Sequence, residues 1–434
     1  MARIYVADKE TLDKTHANTA AILAALEEEG GEHKKAVRYG IKISKSDSGK
    51  ASRVTYIYDA VGMTPAVMDF SEGTFNYGSW GNVEFVKNNY PCMVKYDGTE
   101  DYKLSPNDYT KKEDGTTASD VANTDYAGNA MAAFKGGWLC QYETETDEYI
   151  IWSNVKYDDG YNAYHRTAPD GVVREGFYRR IYKPALLNNV ARSISGQQSM
   201  YSKNATQERT YIKANGEAWE HTSWWEWNYI IALLKIMAKT EDLQGAYGNG
   251  NMNGYVNDAA QHYGILTAGT LNDKGQFFGY NTNNQQVKVF HTEAMWGDQW
   301  ERICHMICDK GVVKVQPYGD GNFTGAGFET VLDYKDLGIT ASASGYMRDA
   351  ACLLSRMGWI WHSDTYAYYE RYIKPYIKIK VLKTLVSKHA RKENEKNGMV
   401  QRRKHGRRKT KGAGHNEQPG NGIYAPEHYP ADSA

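Results

Sequence analysis

The run Trp224-Trp-Glu-Trp-Asn-Tyr-Ile-Ile-Ala-Leu-Leu-Lys-Ile-Met237 constrains this chain more than any other stretch. Its most apolar part, Tyr229 to Met237, is broken by Lys235 and is far shorter than the ~20 apolar residues that span a bilayer. The pattern therefore predicts a buried helix over 219–240, with Thr222-Ser223 as N-caps and Gly245 beyond its end. A chain of 434 residues with 41% apolar content can surround such a helix with one large or two modest cores. No membrane insertion is expected. Met-Ala-Arg-Ile-Tyr-Val-Ala-Asp lacks the basic and apolar regions of a signal peptide, so export by that route is not expected and synthesis in a cytoplasm is.

Around the helix the chain reads as β structure. Val37 to Ile43 and Arg53 to Tyr58 flank a Ser/Asp/Gly connection over 44–52 and predict a hairpin. Tyr90 to Tyr96, Trp138 to Tyr142 and Glu148 to Trp152 are strand-like, whereas the polar, Gly-punctuated stretch 97–130 predicts a long surface excursion. The 34 Tyr, 11 Trp and 41 Gly against only 10 Pro suit turn-rich β architecture with aromatic surfaces, and tyrosine supplies contact area at low entropic cost. Residues 8–28 place Leu12, Thr15, Thr19, Ile22 and Leu26 at heptad spacing. That seam fits a short homo-oligomeric bundle, a trimer among the options, and equally a helix lying on its own domain.

The segment 287–315 concentrates Trp, Cys, His and acids. Alternation through Arg302, Cys304, Met306 and Cys308, then Asp309-Lys-Gly311 and Val312 to Val315, predicts a β-hairpin. Cys304 and Cys308 would then lie about 13 Å apart at ~3.3 Å per residue, too far for a disulfide or one metal ion. No second ligand pair with zinc spacing occurs, and the five cysteines are too few and scattered for a disulfide framework, so reduced thiols and no metal are expected. Asp158-Asp159-Gly160 and the group Glu143, Glu145, Asp147 and Glu148 lack the spacing of a calcium loop and read as solvated turn acids. No Gly-x-Ser-x-Gly, Walker-type loop or His-Glu-x-x-His occurs. No catalytic residue and no cofactor is therefore assigned. Trp224, Trp225, Asn251, Asn253 and Tyr255 are a weak candidate set for stacking on and hydrogen-bonding a sugar.

Gly269 to Gly279, Val287-Lys-Val-Phe290 and Trp296-Gly-Asp-Gln-Trp-Glu-Arg302 together resemble bacteriophage and prophage tail-fibre or receptor-binding proteins that end in a C-type-lectin-like domain. That domain is related in form to formylglycine-generating enzymes and to targets of diversity-generating retroelements. Ala60 to Pro65, Asn76 to Trp80, Lys87 to Met93 and Thr240 to Gly250 fit the same group, so the likeness covers about residues 1–350. It implies an α+β fold with twisted antiparallel strands and a buried aromatic helix. Trp296, Gly297, Trp300 and Glu301 would be a fold signature, the tryptophans packed in the core and the glycine permitting a close turn. His291 stands where the resembling proteins more often carry Gly, and the Gly-, Asn- and Trp-rich closing strands expected after Gly345 are not found. The reactive cysteine pair of the related oxidases has no counterpart here.

The implied function is a non-enzymatic virion protein, assembled in the bacterial cytoplasm, that adheres to a host surface glycan or protein and contacts other virion proteins. The alternatives are a capsid head-fibre or decoration protein and, from another class, a formylglycine-type or carbohydrate-active enzyme. The expected division is 1–30 for oligomerisation or attachment, 31–100 β-rich, 101–365 lectin-like and 366–434 a basic, largely disordered tail. Residues 371–412 carry 16 Lys or Arg against two Glu, which leaves residues 1–370 at −11 although the whole chain is neutral. Such a tail suits nucleic acid or another anionic surface, and an altered reading frame would equally produce it.

Overall fold

The computed structural model describes residues 35–47, 52–251, 264–299, 301–309, 312–316, 318, 335–340, 345–347, 360–362 and 367–368. All belong to one compact unit, Met1–Lys380. The expected heptad helix over 8–28 and the basic run 371–412 lie outside the described residues. Of the tail expected from 366, only Ala367–Tyr368 is described, as a strand paired with Ile360–His362.

Alternating side chains explain the first sheet. In β1 (Arg38–Ser44), Ile41 and Ile43 are buried, and β2 (Val54–Tyr58) pairs with it through Ile41↔Tyr56 and Ile43↔Val54, the expected hairpin. The short hairpin of β3 (Val67–Asp69) and β4 (Thr74–Asn76) follows, then one helical turn, α1 (Glu84–Lys87). Next come β5 (Tyr90–Lys95), β6 (Glu100–Ser105), β7 (Asp108–Lys112), β8 (Gly128–Lys135), β9 (Trp138–Glu143), β10 (Asp147–Ser153) and β11 (Gly176–Arg180). They assemble as two antiparallel sheets, β2-β1-β10-β9 and β11-β8-β5-β6-β7. The expected division at residue 100 falls inside this system: β6 spans it, and β1 with β10 and β5 with β8 pair across it.

The stretch 97–130 is not the surface excursion its polarity predicts. It contributes β6, β7 and the start of β8, and it buries Leu104, Tyr109 and Val121. One face of these strands is wet, and their turns are closed by aspartates, which dilutes the apolar signal. Asp97 accepts from the Thr99 amide at 2.9 Å, Asp108 from the Thr110 amide at 3.0 Å, and Asp114 from the Thr116 and Thr117 amides at 2.8 Å.

After the β12 (Ala185–Leu187) and β13 (Val190–Arg192) hairpin comes α2 (Ala205–Lys213), and then the central helix α3 (Trp224–Ala238). Ser223 is its N-cap: Ser223 Oγ accepts from the Glu226 amide at 3.1 Å, and Glu226 accepts from the Ser223 amide at 2.8 Å. The helix stops at Lys239 in a left-handed conformation, φ 52°, six residues before the Gly245 expected to follow it. Gly245 belongs to the next helical turn, α4 (Leu243–Tyr247), capped by Asp242. Thirteen of the fifteen α3 residues are buried, so this is a helix enclosed on all sides. It lies on the inner face of the first sheet, where Tyr229 Oη accepts from the Trp152 indole at 2.9 Å and Asn228 donates to Gln141 at 2.7 Å. Its buried Lys235 meets Glu241 at 3.8 Å, which Arg53 also reaches at 2.9 Å.

Two further hairpins complete the described core. β14 (Lys288–Val289) and β15 (Thr292–Glu293) are joined by Phe290 and His291, both left-handed at φ 47° and 63°. Two positive φ values in a two-residue loop favour small residues. Buried Phe290 and a 2.6 Å hydrogen bond between Tyr109 Oη and His291 Nδ1 fill the site instead. The second hairpin pairs β16 (Met306–Asp309) with β17 (Val312–Val315). It starts at Met306, not at the expected Arg302, because left-handed His305, φ 63°, interrupts the extended backbone and both Ile303 and Cys304 are buried. No helix among the described residues is long and apolar enough to cross a membrane.

Candidate functional site

The residues singled out for sugar contact are not brought together. Trp224 is 0% exposed at the start of α3, where its amide donates to Cys304 O at 2.9 Å. Half-buried Trp225 donates its indole N–H to Gln316 O at 2.8 Å and meets the Tyr164 ring at 4.8 Å. Asn251 is buried, and its amide donates to Asp298 Oδ1 at 2.6 Å and Gly264 O at 2.7 Å. Asn253 and Tyr255 lie outside the described residues. The expectation that Trp224 and Asn251 face a ligand is therefore corrected: a helix buried all round presents no ring to solvent, and the asparagine satisfies an interior carboxylate.

Of the four residues expected to form a fold signature, Trp296, Gly297 and Glu301 are described. Trp296 is buried and donates its indole N–H to Gly248 O at 3.0 Å. Gly297 has φ 84°, and a Cβ there would lie 2.7 Å from the Asn251 amide nitrogen. Trp300 lies outside the described residues. Glu301 is an ionic hub that sequence reading treated only as part of an aromatic turn. Its carboxylate accepts from Arg179 Nη2 at 3.1 and 3.2 Å, Arg180 Nη2 at 2.6 Å and Thr222 Oγ1 at 2.8 Å. Burial alone would raise its pKa, but the Arg179 and Arg180 guanidiniums hold it well below the usual carboxylate range. The hub ties β11, the N-terminus of α3 and the approach to β16 into one pin.

Three described cysteines, Cys92, Cys140 and Cys304, are free and buried. Burial pushes the thiols of Cys92 and Cys304 up, the reverse of what a nucleophilic or metal-binding thiolate requires. Among the described residues, no group of three or more His, Cys, Asp or Glu is arranged to hold a metal ion.

The outer face of the first sheet has a different character. Alternation places Gly40 and Lys42 of β1, Thr55 and Ile57 of β2, Tyr149 and Ile151 of β10, and Cys140 and Tyr142 of β9 on the side away from α3. Tyr142 and Tyr149 are register partners whose rings stack at 4.5 Å and 7°. Burial, then the neighbouring Tyr58 and Tyr149, pushes the Tyr142 phenol up to about 12. From the loop after β10, Tyr161 packs on Cys140 and Ile151, with Tyr157 beside it at 6.1 Å.

Tyr58 completes this face against its own strand pattern. Strict alternation would send it inward with Tyr56, but its backbone is left-handed, φ 57°, and its ring is 42% exposed. A bulky residue held there carries backbone strain of roughly 1–2 kcal/mol, a feature that clusters at functional sites. The ring lies against Arg38, whose Cζ is 4.0 Å from the Tyr58 centroid and 4.1 Å from that of Tyr157, itself 50% exposed. Burial pushes the Tyr161 phenol up, and the neighbouring Arg38 partly offsets the rise. No described carboxylate forms an ion pair with its guanidinium. Nearby, Arg166 lies over Trp138 at 5.0 Å.

Sequence reading missed this site because its members, residues 38, 58, 138, 142, 149, 157 and 161, come from four separate segments with no motif. The only available signal was the tyrosine content. Chemically the face offers flat apolar rings with polar edges and a guanidinium in contact with two of them. Comparison with protein-family models, curated proteins and solved structures gave no match.

Proposed function

We propose that this chain is a non-enzymatic virion component, a tail-fibre or receptor-binding protein that adheres to a ligand on the bacterial surface. The motif resemblance over residues 1–350 motivates the class. In this reading the two antiparallel sheets, the enclosed aromatic helix α3 and the turn at Trp296–Gly297 form a C-type-lectin-like scaffold. The observation that carries the adhesive role is the outward tyrosine face, where Arg38 lies against both exposed Tyr58 and exposed Tyr157. Aromatic rings and arginine dominate recognition hot spots because they supply much contact area with few rotatable bonds.

Adhesion of this kind works through copies. Individually weak sites, linked through the N-terminal region, act at high effective concentration. The test uses fluorescently labelled full-length protein and a panel of bacterial cells, read by flow cytometry, with light scattering for oligomeric state. An oligomer that stains a subset of cells, with staining lost in Tyr157→Ala, is the expected result. A monomer that stains none overturns the reading.

A further inference from the structure

From the same face we infer the chemical class of the ligand: a polysaccharide bearing carboxylates, such as a uronate- or sialate-containing surface glycan. The inference rests on the adhesive reading of the face and deepens it.

Arg38 is the first ground. The Tyr58 and Tyr157 rings both lie against its guanidinium, with Cζ 4.0 and 4.1 Å from their centroids, and Tyr161 is a further neighbour, so the side chain is restrained while N–H groups remain for a ligand. A fork restrained in this way matches a carboxylate bidentately, and less side-chain entropy remains to be lost on binding. In this protein no carboxylate of the described residues uses it, unlike Arg179 and Arg180, which share Glu301. A structural arginine normally takes such a partner; this one is restrained by its rings and has none among the described residues.

The second ground is repetition along β1. Lys42 lies on the same face as Arg38, about 13 Å away at ~3.3 Å per residue. Its side chain is 40% exposed, its nearest carboxylate, Asp147, is 4.0 Å away, and its register partner is Tyr149 of the Tyr142–Tyr149 stack. Two cations, Arg38 against the Tyr58 and Tyr157 rings and Lys42 opposite Tyr149 in register, thus follow one another along the strand. A polymer with recurring acids and flat C–H faces engages both, its carboxylates on the cations and its sugar rings on the tyrosines. Asp147 pairs with Lys42 only at 4.0 Å, and the other rim acids leave Arg38 available: Asp59 accepts from the Arg38 backbone amide, Asp158 from the Gly160 amide, and Asp159 pairs with Lys156. An acidic peptide would satisfy the cations but has no ring faces for the tyrosines.

Full-length protein is tested by biolayer interferometry on immobilised polygalacturonate, hyaluronate and polysialic acid, on their carboxyl-reduced forms, and on poly-glutamate. The expected result is binding to at least one acidic polysaccharide, at least tenfold weaker to its reduced form and to poly-glutamate. Arg38→Gln should lose at least tenfold, and Arg38→Lys should recover only part, because a lysine supplies charge without the fork. Thermal melting of each variant checks folding, and Tyr157→Ala provides a second probe on an exposed loop. Equal binding to the reduced polymers, preference for poly-glutamate, unchanged affinity in Arg38→Gln, or no binding to any acidic polysaccharide overturns the inference. If cells are still stained in a Tyr157-dependent way under any of those results, the adhesive reading stands and only the ligand class falls.

Discussion

Replacing Glu301 by Gln removes one negative charge from between two guanidiniums whose side chains are 1% and 8% exposed. Gln keeps the shape and one acceptor oxygen for Thr222 but leaves Arg179 and Arg180 buried without a counter-charge. Breaking a buried ion pair from one side destabilises by about 3–5 kcal/mol, a large share of the ~5–15 kcal/mol that holds a typical domain folded. With a urea slope of about 3 kcal/mol per molar, the unfolding midpoint should fall by about 1–1.7 M. Tryptophan fluorescence in a urea series at pH 7 measures it. The pH dependence supplies a second, independent check. Because the folded carboxyl is held low, its stabilisation is complete above the unfolded value near ~4.3 and is lost as pH falls through the lower folded value. The gap between wild type and Glu301→Gln should therefore narrow at pH 3. A variant within about 0.5 kcal/mol of wild type at pH 7, or a gap unchanged at pH 3, would refute the assignment of Glu301 as the ionic pin.

Gly297→Ala places a side chain at φ 84° and 2.7 Å from the Asn251 backbone nitrogen; the backbone conformation alone costs about 1–2 kcal/mol, so Tm should fall by about 2 °C or more, and an unchanged Tm would contradict the close-approach role. Burial raises the Glu226 carboxyl to about 7. Its contribution to stability is therefore full below the unfolded value of ~4.3 and lost as pH rises through 7. Glu226→Gln, which keeps an acceptor for the Ser223 amide, should match wild type at pH 4 and exceed it at pH 8 in urea midpoint. The same difference at both pH values counts against this. Tyr58→Gly relieves a left-handed residue at φ 57°; folding stability should stay within about 1 kcal/mol of wild type while cell staining falls, and a variant that stains normally would separate the strain from binding.

Local patterns were legible, and non-local ones were not. The β1–β2 hairpin and the Ser223 cap of α3 follow from neighbours in sequence, as does the β16–β17 pairing, and each appears in the fold. Residues 97–130 defeated the reading because strands wet on one face and closed by Asp turns resemble loop in composition. The strand before Met306 was drawn too long because alternation cannot reveal that His305 turns left-handed. Trp224 looked available because aromatic residues serve cores and binding sites alike, and only the enclosure of α3 decides between them. Glu301 showed no sign of two arginines about 120 residues earlier in the chain. The tyrosine face has the same difficulty: β1 and β10 join Arg38 to Ser153 in register, and no local spacing encodes that pairing.

The link between Ser223 and Cys304 has a kinetic consequence. The first turn of α3 is stitched to a segment 83 residues from His221 by backbone hydrogen bonds in both directions, Trp224 to Cys304 and Cys304 to Thr222. On a ribosome adding ~5–20 residues per second, those residues take about 4–17 s to appear. Through that interval the most apolar helix of the chain has its strands beneath it but neither its clasp nor its Glu301 pin. Nascent chains should therefore pass through a sticky, chaperone-dependent stage that ends only when residue 304 has left the exit tunnel, and fragments stopped short of it should aggregate.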